Sequence, residues 1–172
     1  MLQKMRHAQV IGEVFIYILA IILFSLIMVY GYNSVRNLGE KADTVIILQI
    51  SKQLSSTIKK ITSDYGTVIK EEVSIPNKYD KVCFTDLSYT GQESTNICLP
   101  GDQDYNPVIC NSWKDKISKN MFLVSKNIDV ISIDIGNIKI PKEHYFCQNV
   151  IFGKIILRLE GKGSYAELSR WS

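Results

Sequence analysis

Cysteine thiols are the side chains in this sequence whose type and spacing could do chemistry. There are four of them, Cys83, Cys98, Cys110 and Cys147. All four follow a long apolar stretch near the N-terminus, and an even set of cysteines on one side of a membrane indicates an oxidising compartment. No two of them form a CxxC pair, which makes a structural zinc site a poor match. The spacing favours disulfides over free buried thiols.

Four cysteines allow three disulfide connectivities. Cys83 lies in one predicted strand and Cys147 at the end of another, so a bond between them could join two strands. Cys98 lies in a long loop and Cys110 in the first turn of a short predicted helix, so a bond between them could hold the loop against the helix. We prefer this connectivity, in which each bond would stabilise the domain by about 2 to 4 kcal/mol. The other two connectivities remain open at the level of sequence.

Catalytic motifs are absent from the sequence. It contains no HExxH, GxSxG or Walker A pattern, and its two histidines are His7 and His144, of which His144 is predicted at the surface end of a strand. Residues 161–166 fit GxGxxA, but a dinucleotide site requires a helix and a second strand after that pattern, and the residues that follow are too few. Asp102 and Asp104 lack the further acidic ligands of a calcium loop. The sequence therefore predicts no enzyme, no cofactor and no metal site.

The composition is that of one compact domain with an anchor. Of the 172 residues 46% are hydrophobic, which excludes a disordered chain. The 20 basic and 17 acidic residues give a net charge of +3 and are spread without blocks. This distribution argues against a nucleic-acid partner.

Residues 9–32 are predicted to form a transmembrane helix. Between residues 10 and 32 Glu13 is the only charged residue, and about 23 residues that rise about 1.5 Å each span a hydrocarbon core. Lys4 and Arg6 precede the stretch, so the positive-inside rule places the N-terminus in the cytoplasm and the C-terminal domain outside. A cleaved secretory signal peptide is the competing interpretation, but its apolar region would be shorter and small residues would follow it.

Glu13 is a residue that a plain membrane anchor does not require, because a carboxylate in hydrocarbon costs on the order of a few kcal/mol. A helix N-terminus that favours an acid is the simple explanation. The surrounding pattern offers another: a short basic leader, residues 1–8, ends in Ala8 and is followed by Gln9, from which Glu13 is the fifth residue. This pattern resembles the class III signal peptide of archaeal type IV pilin-like proteins, with His7 where that family usually has Lys or Arg.

The resemblance implies processing and assembly. A prepilin peptidase-like membrane protease would cut between Ala8 and Gln9, and the helix would remain as the anchor and later pack with its copies in a filament core. Glu13 would then neutralise the new N-terminal ammonium of a neighbouring subunit, since both charges would otherwise be stranded among apolar helices. The implied partners are the lipid bilayer, copies of the chain or related pilin-like subunits, and the peptidase. An anchor that is never cut is the alternative.

Residues 33–65 are predicted to continue as an amphipathic stalk helix. Apolar residues recur at steps of three and four, and Gly66 supplies a helix stop. The predicted stripe includes Val45, Ile50, Leu54, Ile58, Ile61 and Tyr65. A filament subunit and a helix that lies on its own sheet predict the same buried face.

Residues 66–172 are predicted to form an extracytoplasmic, β-rich domain. Alternation and turn residues predict strands at residues 66–76, 81–87, 121–125, 128–140, 145–147, 154–160 and 164–168. A short helix is predicted to begin after Asn106 and to end near Lys119, with Ile109, Trp113 and Ile117 on one face. The predicted fold class is α+β: a long N-terminal transmembrane and stalk helix followed by a small, mostly antiparallel β domain with one short helix.

Two functions follow from these observations. The leading hypothesis is a structural subunit of a type IV pilus-like surface filament of an archaeal cell, anchored in the cell membrane by a single pass before assembly. The alternative is a stand-alone, single-pass membrane-anchored module whose extracytoplasmic domain binds a partner. Assembly into filaments separates the two, and Glu13 is the residue on which that difference rests.

Overall fold

A computed structural model of the chain describes residues 4–91, 95–127 and 129–171. Along the first helix it describes the side chains of residues 14–36 and from residue 43 onwards. The chain divides into two compact units, Met1–Val45 and Ile46–Ser172. The architecture is α+β, with an apolar N-terminal helix followed by a small, antiparallel-rich β domain, and the coarse prediction is confirmed.

Helix α1 runs from Lys4 to Ser63 and changes its environment along its length. From Val14 to Arg36 its described side chains are exposed on all sides. Near its C-terminal end a stripe is buried, formed by Ile50, Leu54, Ile58 and Ile61. The predicted stripe was longer, from Val35 to Tyr65, and the structure leaves Val35, Val45 and Tyr65 exposed.

Within the described residues, eight strands and a second α-helix, which is short, follow α1. Two four-stranded sheets form, one in the order β1-β7-β8-β5 and the other in the order β4-β3-β2-β6. Every pair is antiparallel except β5 with β8, which is parallel. The bounds are β1 Val68–Ser74, β2 Tyr79–Thr85, α2 Pro107–Lys114, β3 Met121–Ser125, β4 Val130–Ile133, β5 Ile138–Lys139, β6 Tyr145–Asn149, β7 Lys154–Gly161 and β8 Ala166–Arg170.

One hydrophobic core joins the two sheets and the buried stripe of α1. It contains Leu54 from the helix, Leu157 from the first sheet and Phe84 from the second, together with their buried neighbours. A second, smaller core lies on the other face of β2 and contains Cys83 and Trp113. Consecutive residues of β2 are therefore buried on both faces, which explains why its burial does not alternate.

The single strand predicted at residues 128–140 is wrong. The structure divides the segment into β4 and β5, which lie in different sheets, and residue 128 lies outside the described residues. A bend at Gly136, with a φ of 100°, separates the two strands. The buried positions change phase at this bend, from Ile133 and Ile135 before it to Ile138 and Ile140 after it. A shift of one residue in the alternation accompanies the change of sheet.

The predicted end of the short helix near Lys119 is also wrong, because α2 ends at Lys114. Lys116 has a φ of 51°, and the NH of Ile117 donates to the carbonyl oxygen of Ser112. This is the Schellman ending that usually has a glycine at the left-handed position. Ile117 is consequently half exposed instead of buried beside Trp113. The N-terminal cap is the predicted Asn106, whose side chain accepts hydrogen bonds from the NH groups of residues 108 and 109.

Candidate functional site

The apolar part of α1 is the first candidate site. Residues Val14–Arg36 form a 23-residue segment with a mean hydropathy of 2.7, and none of it is buried by the rest of the described chain. At about 1.5 Å per residue the segment is long enough to cross a bilayer. The hydroxyl of Ser25 donates to the carbonyl oxygen of Ile21, at 2.8 Å, and so finds its partner within the helix. By length and composition, this helix could cross a membrane.

The residues predicted for processing and assembly lie at the start of the same helix. Ala8, Gln9 and Glu13 belong to α1 by their backbone. Their side chains lie outside the described residues. The cut between Ala8 and Gln9 and the pairing of Glu13 with a neighbouring N-terminus therefore stay predictions.

A disulfide joins Cys83 of β2 to Cys147 of β6. The two residues are directly opposite one another in the antiparallel register, with their Cα atoms 4.0 Å apart. Both are buried, and both contribute to the second core. The bond closes a sequence separation of 64 residues, so it links the early and late strands of the second sheet covalently.

The second disulfide joins Cys98 to Cys110, with a Cα to Cα distance of 5.2 Å. Cys98 closes a short 3₁₀ helix, Asn96–Cys98, and Cys110 lies in the first half of α2. Trp113 of the same helix is fully buried, and its indole NH donates to the carbonyl oxygen of Asp86 at 2.9 Å. The disulfide thus holds the long loop to α2, and the indole hydrogen bond holds α2 to Asp86, the residue directly after β2.

A buried carboxylate organises the polar groups near this loop. Asp86 accepts hydrogen bonds from the backbone NH and the hydroxyl of Ser88, at 2.9 and 2.6 Å. The other carboxylate oxygen of Asp86 lies 3.7 Å from Nδ1 of His144. The imidazole of His144 stacks on the ring of Tyr89, with the ring centroids 4.0 Å apart. His144 is partly exposed, close to its predicted place at a strand end. The Ser88 hydroxyl donates its hydrogen to the carboxylate. Asp86 therefore joins the loop that follows β2 to the residues before β6, and we interpret the cluster as structural.

The open clefts of the β-rich unit are lined by both polar and apolar side chains. One of about 430 Å³ is lined by Tyr145, Phe146 and Arg170 among others. Burial, reinforced by the carboxylates of Asp104, Glu143 and Asp102, raises the pKa of the Tyr145 phenol to about 12. The guanidinium of Arg170 donates to the carbonyl oxygen of Cys147 at 2.5 Å. The phenol stays neutral at physiological pH, and Arg170 caps a backbone carbonyl at the edge of the sheet.

The segments that resembled ligand motifs have structural partners. Asp104 forms a salt bridge of 2.9 Å with Lys81, and Oδ1 of Asp102 accepts the backbone NH of Asp104. Residues 162–165 connect β7 to β8, and Gly161 pairs with Ala166 at the end of this hairpin, which the sequence predicted. Across the described ranges of the chain, no group of three or more His, Cys, Asp or Glu side chains could hold a metal ion.

Sequence reasoning overlooked the turn between β6 and β7. Ile151 and Lys154 exchange both backbone hydrogen bonds at 3.0 Å, and between them Phe152 and Gly153 have φ values of 51° and 72°. Two positive values at the central positions are the mark of a type I′ turn, in which Asn-Gly is the usual pair. Phe152 is 98% exposed and Ile151 is 63% exposed. The Phe-Gly pair gave no turn signal of that kind, because phenylalanine is uncommon at positive φ.

In comparisons with known proteins, no protein-family model, no curated protein and no solved structure matches the chain.

Proposed function

We propose that this protein is a structural subunit of a type IV pilus-like surface filament, held in the cell membrane by a single pass before assembly. The observation that carries the proposal is the segment Val14–Arg36, which is exposed on all sides and belongs to the helix whose last turns pack in a β-rich unit. An uncovered apolar helix can cross a bilayer and can pack against copies of itself. The exposed surface of the β-rich unit would then face solvent.

The proposed orientation has the N-terminus in the cytoplasm and the β-rich unit outside. Lys4 and Arg6 support it through the positive-inside rule. The two disulfides agree with it, because disulfides persist in oxidising compartments. Protease added to intact spheroplasts should digest the unit that begins at Ile46 and leave the apolar segment protected. A unit that is cut only after the cells are lysed would contradict this orientation.

Glu13 provides the test of filament assembly. The Glu13→Ala variant should insert into the membrane as well as the unchanged protein does, because it removes a carboxylate from the apolar segment, yet it should form no surface filaments. The Glu13→Gln variant should fail in the same way, since the proposed pairing requires the charge. Ser25→Ala is the matched control, because that hydroxyl bonds within its own helix.

Two measurements decide between the outcomes. Electron microscopy of cells that produce each variant counts filaments, and membrane fractionation shows that the variants are inserted. Filaments of normal number from the Glu13→Ala variant would contradict the proposed pairing. If no filament contains the unchanged protein although it is in the membrane, the alternative of a stand-alone anchored binding module replaces the filament proposal.

Processing by a prepilin peptidase-like protease is tested separately. The mature protein should begin at Gln9, which intact-mass measurement of the protein purified from its native membrane detects directly. An Ala8→Leu change at the proposed junction should leave the leader attached, while the inserted fraction stays unchanged. A native N-terminus upstream of Gln9 would contradict the cut.

A further inference from the structure

The turn between β6 and β7 carries a residue that the fold itself does not favour. Phenylalanine at a positive φ is strained, and Phe152 leaves its ring in water. The turn is also attached to the segment that follows β1, because the NH of Ile75 donates to the carbonyl oxygen of Gly153 at 2.8 Å. A turn that presents an apolar tip against local preference is expected where a binding function requires it.

The register of the strands shows at which end of the β-rich unit this turn lies. Strand β1 leaves the C-terminal end of α1 at Val68, which pairs with Glu160, and it ends at Ser74, which pairs with Lys154. The turn before Lys154 therefore lies at the end of the sheet remote from the C-terminus of α1. We call it the Ser74 end. Because β1 runs back along α1, as the hydrogen bond between Gln53 and Glu71 shows, the Ser74 end is also where α1 joins the unit at Ile46.

The chain that links the apolar segment to the β-rich unit is short. The apolar segment ends at Arg36 and the β-rich unit begins at Ile46. Even a fully extended chain of this length covers only about 35 Å. A surface so close to an anchored segment meets the bilayer at a high effective concentration, so a weak contact is populated.

Charge at the Ser74 end is balanced. Three lysines lie in or beside its connections, Lys78, Lys126 and Lys154. Acidic residues accompany them: Lys126 lies 3.6 Å from Asp80, Lys154 pairs with Glu72, and Asp129 is exposed nearby. A contact made by this end would therefore depend on its apolar tip and would change little with salt.

We propose that Ile151 and Phe152 form a membrane-contact site, which inserts shallowly into the headgroup region of the bilayer that anchors the chain. Apolar and aromatic side chains at this depth bury their surface among acyl chains while the backbone of the turn stays at the polar level. The inference rests on the membrane insertion put forward under Proposed function, but it does not require filament assembly. The contact would hold the β-rich unit against the membrane before assembly.

Depth-dependent fluorescence quenching tests the site on the full chain. A Trp171→Phe background removes the exposed tryptophan and leaves Trp113, which is fully buried. Into it Phe152→Trp is introduced, with Tyr65→Trp as the matched control, because Tyr65 is 80% exposed and adjoins the far end of β1. Phe24→Trp within the apolar segment reports insertion of the anchor. The proteins are reconstituted in phosphatidylcholine vesicles with or without brominated acyl chains.

The expected result is that brominated lipid quenches the tryptophan introduced at position 152 about twofold or more relative to the one at position 65, with no change at high salt. Equal quenching at the two positions, with strong quenching at position 24, would overturn the contact site and leave the anchor standing. Absence of quenching at position 24 would overturn the anchor itself. A blue shift at position 152 that grows with protein concentration and shows no bromine quenching would assign the tip to a second copy of the chain and overturn the membrane contact.

Discussion

Asn120 shows what a single buried polar residue does in this unit. It is 1% exposed, its amide nitrogen donates to the carbonyl oxygen of Gly136 at 2.7 Å, and its amide oxygen accepts the NH of Ile135 at 3.0 Å. It thus pairs the backbone at the bend where the chain leaves one sheet for the other. A buried polar side chain is tolerated here because these backbone groups would otherwise be unsatisfied.

Asn120→Ala should lower the free energy of unfolding by about 2 to 3 kcal/mol, because it leaves the buried NH of Ile135 and the partly buried carbonyl of Gly136 without their partner. Denaturant unfolding in detergent micelles, followed by the fluorescence of Trp113, measures the change. Asn111→Ala on the exposed side of α2 is the control, and it should stay within about 0.5 kcal/mol of the unchanged protein. A loss at Asn120 no larger than at Asn111 would contradict the bridging role.

Phe152 is the opposite case, because its replacement is expected to stabilise the unit. Phe152→Asn should raise the free energy of unfolding by about 0.5 to 1 kcal/mol, because Asn-Gly suits a type I′ turn and asparagine tolerates positive φ. Phe152→Ala separates the effect of removing the exposed ring from the effect of the backbone conformation, since alanine removes the ring and gains nothing at positive φ. Equal stabilities of the Asn and Ala variants would show that the preference of asparagine for positive φ does not cause the gain. Thermal unfolding midpoints give the comparison.

At the scale of elements, the C-terminal end of α1 is fixed by a close approach to the β7–β8 hairpin. The NH of Gly66 donates to the carbonyl oxygen of Gly161 at 2.8 Å, and the NH of Gly161 donates to the carbonyl oxygen of Thr67. A Cβ atom at Gly161 would overlap the backbone carbonyl oxygens of Ile61 and Asp64. This glycine therefore sets how closely the hairpin packs on the helix end.

Gly161→Ala should destabilise the unit by about 2 to 3 kcal/mol, because either the helix end or the hairpin must move. Gly163→Ala, at a φ of 84° and with only the ring of Tyr65 nearby at 3.8 Å, should cost about 1 kcal/mol from backbone strain alone. Urea unfolding of the two variants gives the order. If Gly163→Ala lowers the free energy of unfolding more than Gly161→Ala does, the close backbone contact at Gly161 is not what requires glycine there.

At the scale of the molecule, two covalent links tie together the β-rich unit. The Cys83–Cys147 bond closes a separation of 64 residues and the Cys98–Cys110 bond a separation of 12. In the chain-entropy description a longer closed loop restricts the unfolded state more. The link between the strands should therefore contribute more than the link between the loop and α2.

Replacing both cysteines of a pair by alanine tests this ranking. The Cys83→Ala, Cys147→Ala variant should lose about 4 kcal/mol of unfolding free energy and the Cys98→Ala, Cys110→Ala variant about 3 kcal/mol. Peptide mapping without reduction should recover the two linked pairs from the unchanged protein. A smaller loss from the strand pair than from the loop pair would contradict the entropic ranking, and linked peptides of any other combination would contradict the connectivity.

The sequence by itself determined the apolar segment and most of the order of helices and strands, and it favoured one of the three cysteine connectivities. Hydropathy summed over 23 residues needs no knowledge of neighbours, and Pro107 after Asn106 identifies a helix start from two adjacent residues. Alternation located the hairpin strands because one face of each is buried. These signals are local, so they survive without knowledge of the fold.

The tertiary structure alone decided the features that depend on distant contacts. Residues 128–140 were predicted as one strand, but which sheet each half joins depends on Asn120 and the bend at Gly136. Lys116 ends α2 in a conformation usually taken by glycine, and Phe152 turns an apolar ring to the outside. Period and composition report how many faces of a segment are buried, whereas the partner that buries them is fixed by packing between segments far apart in the chain.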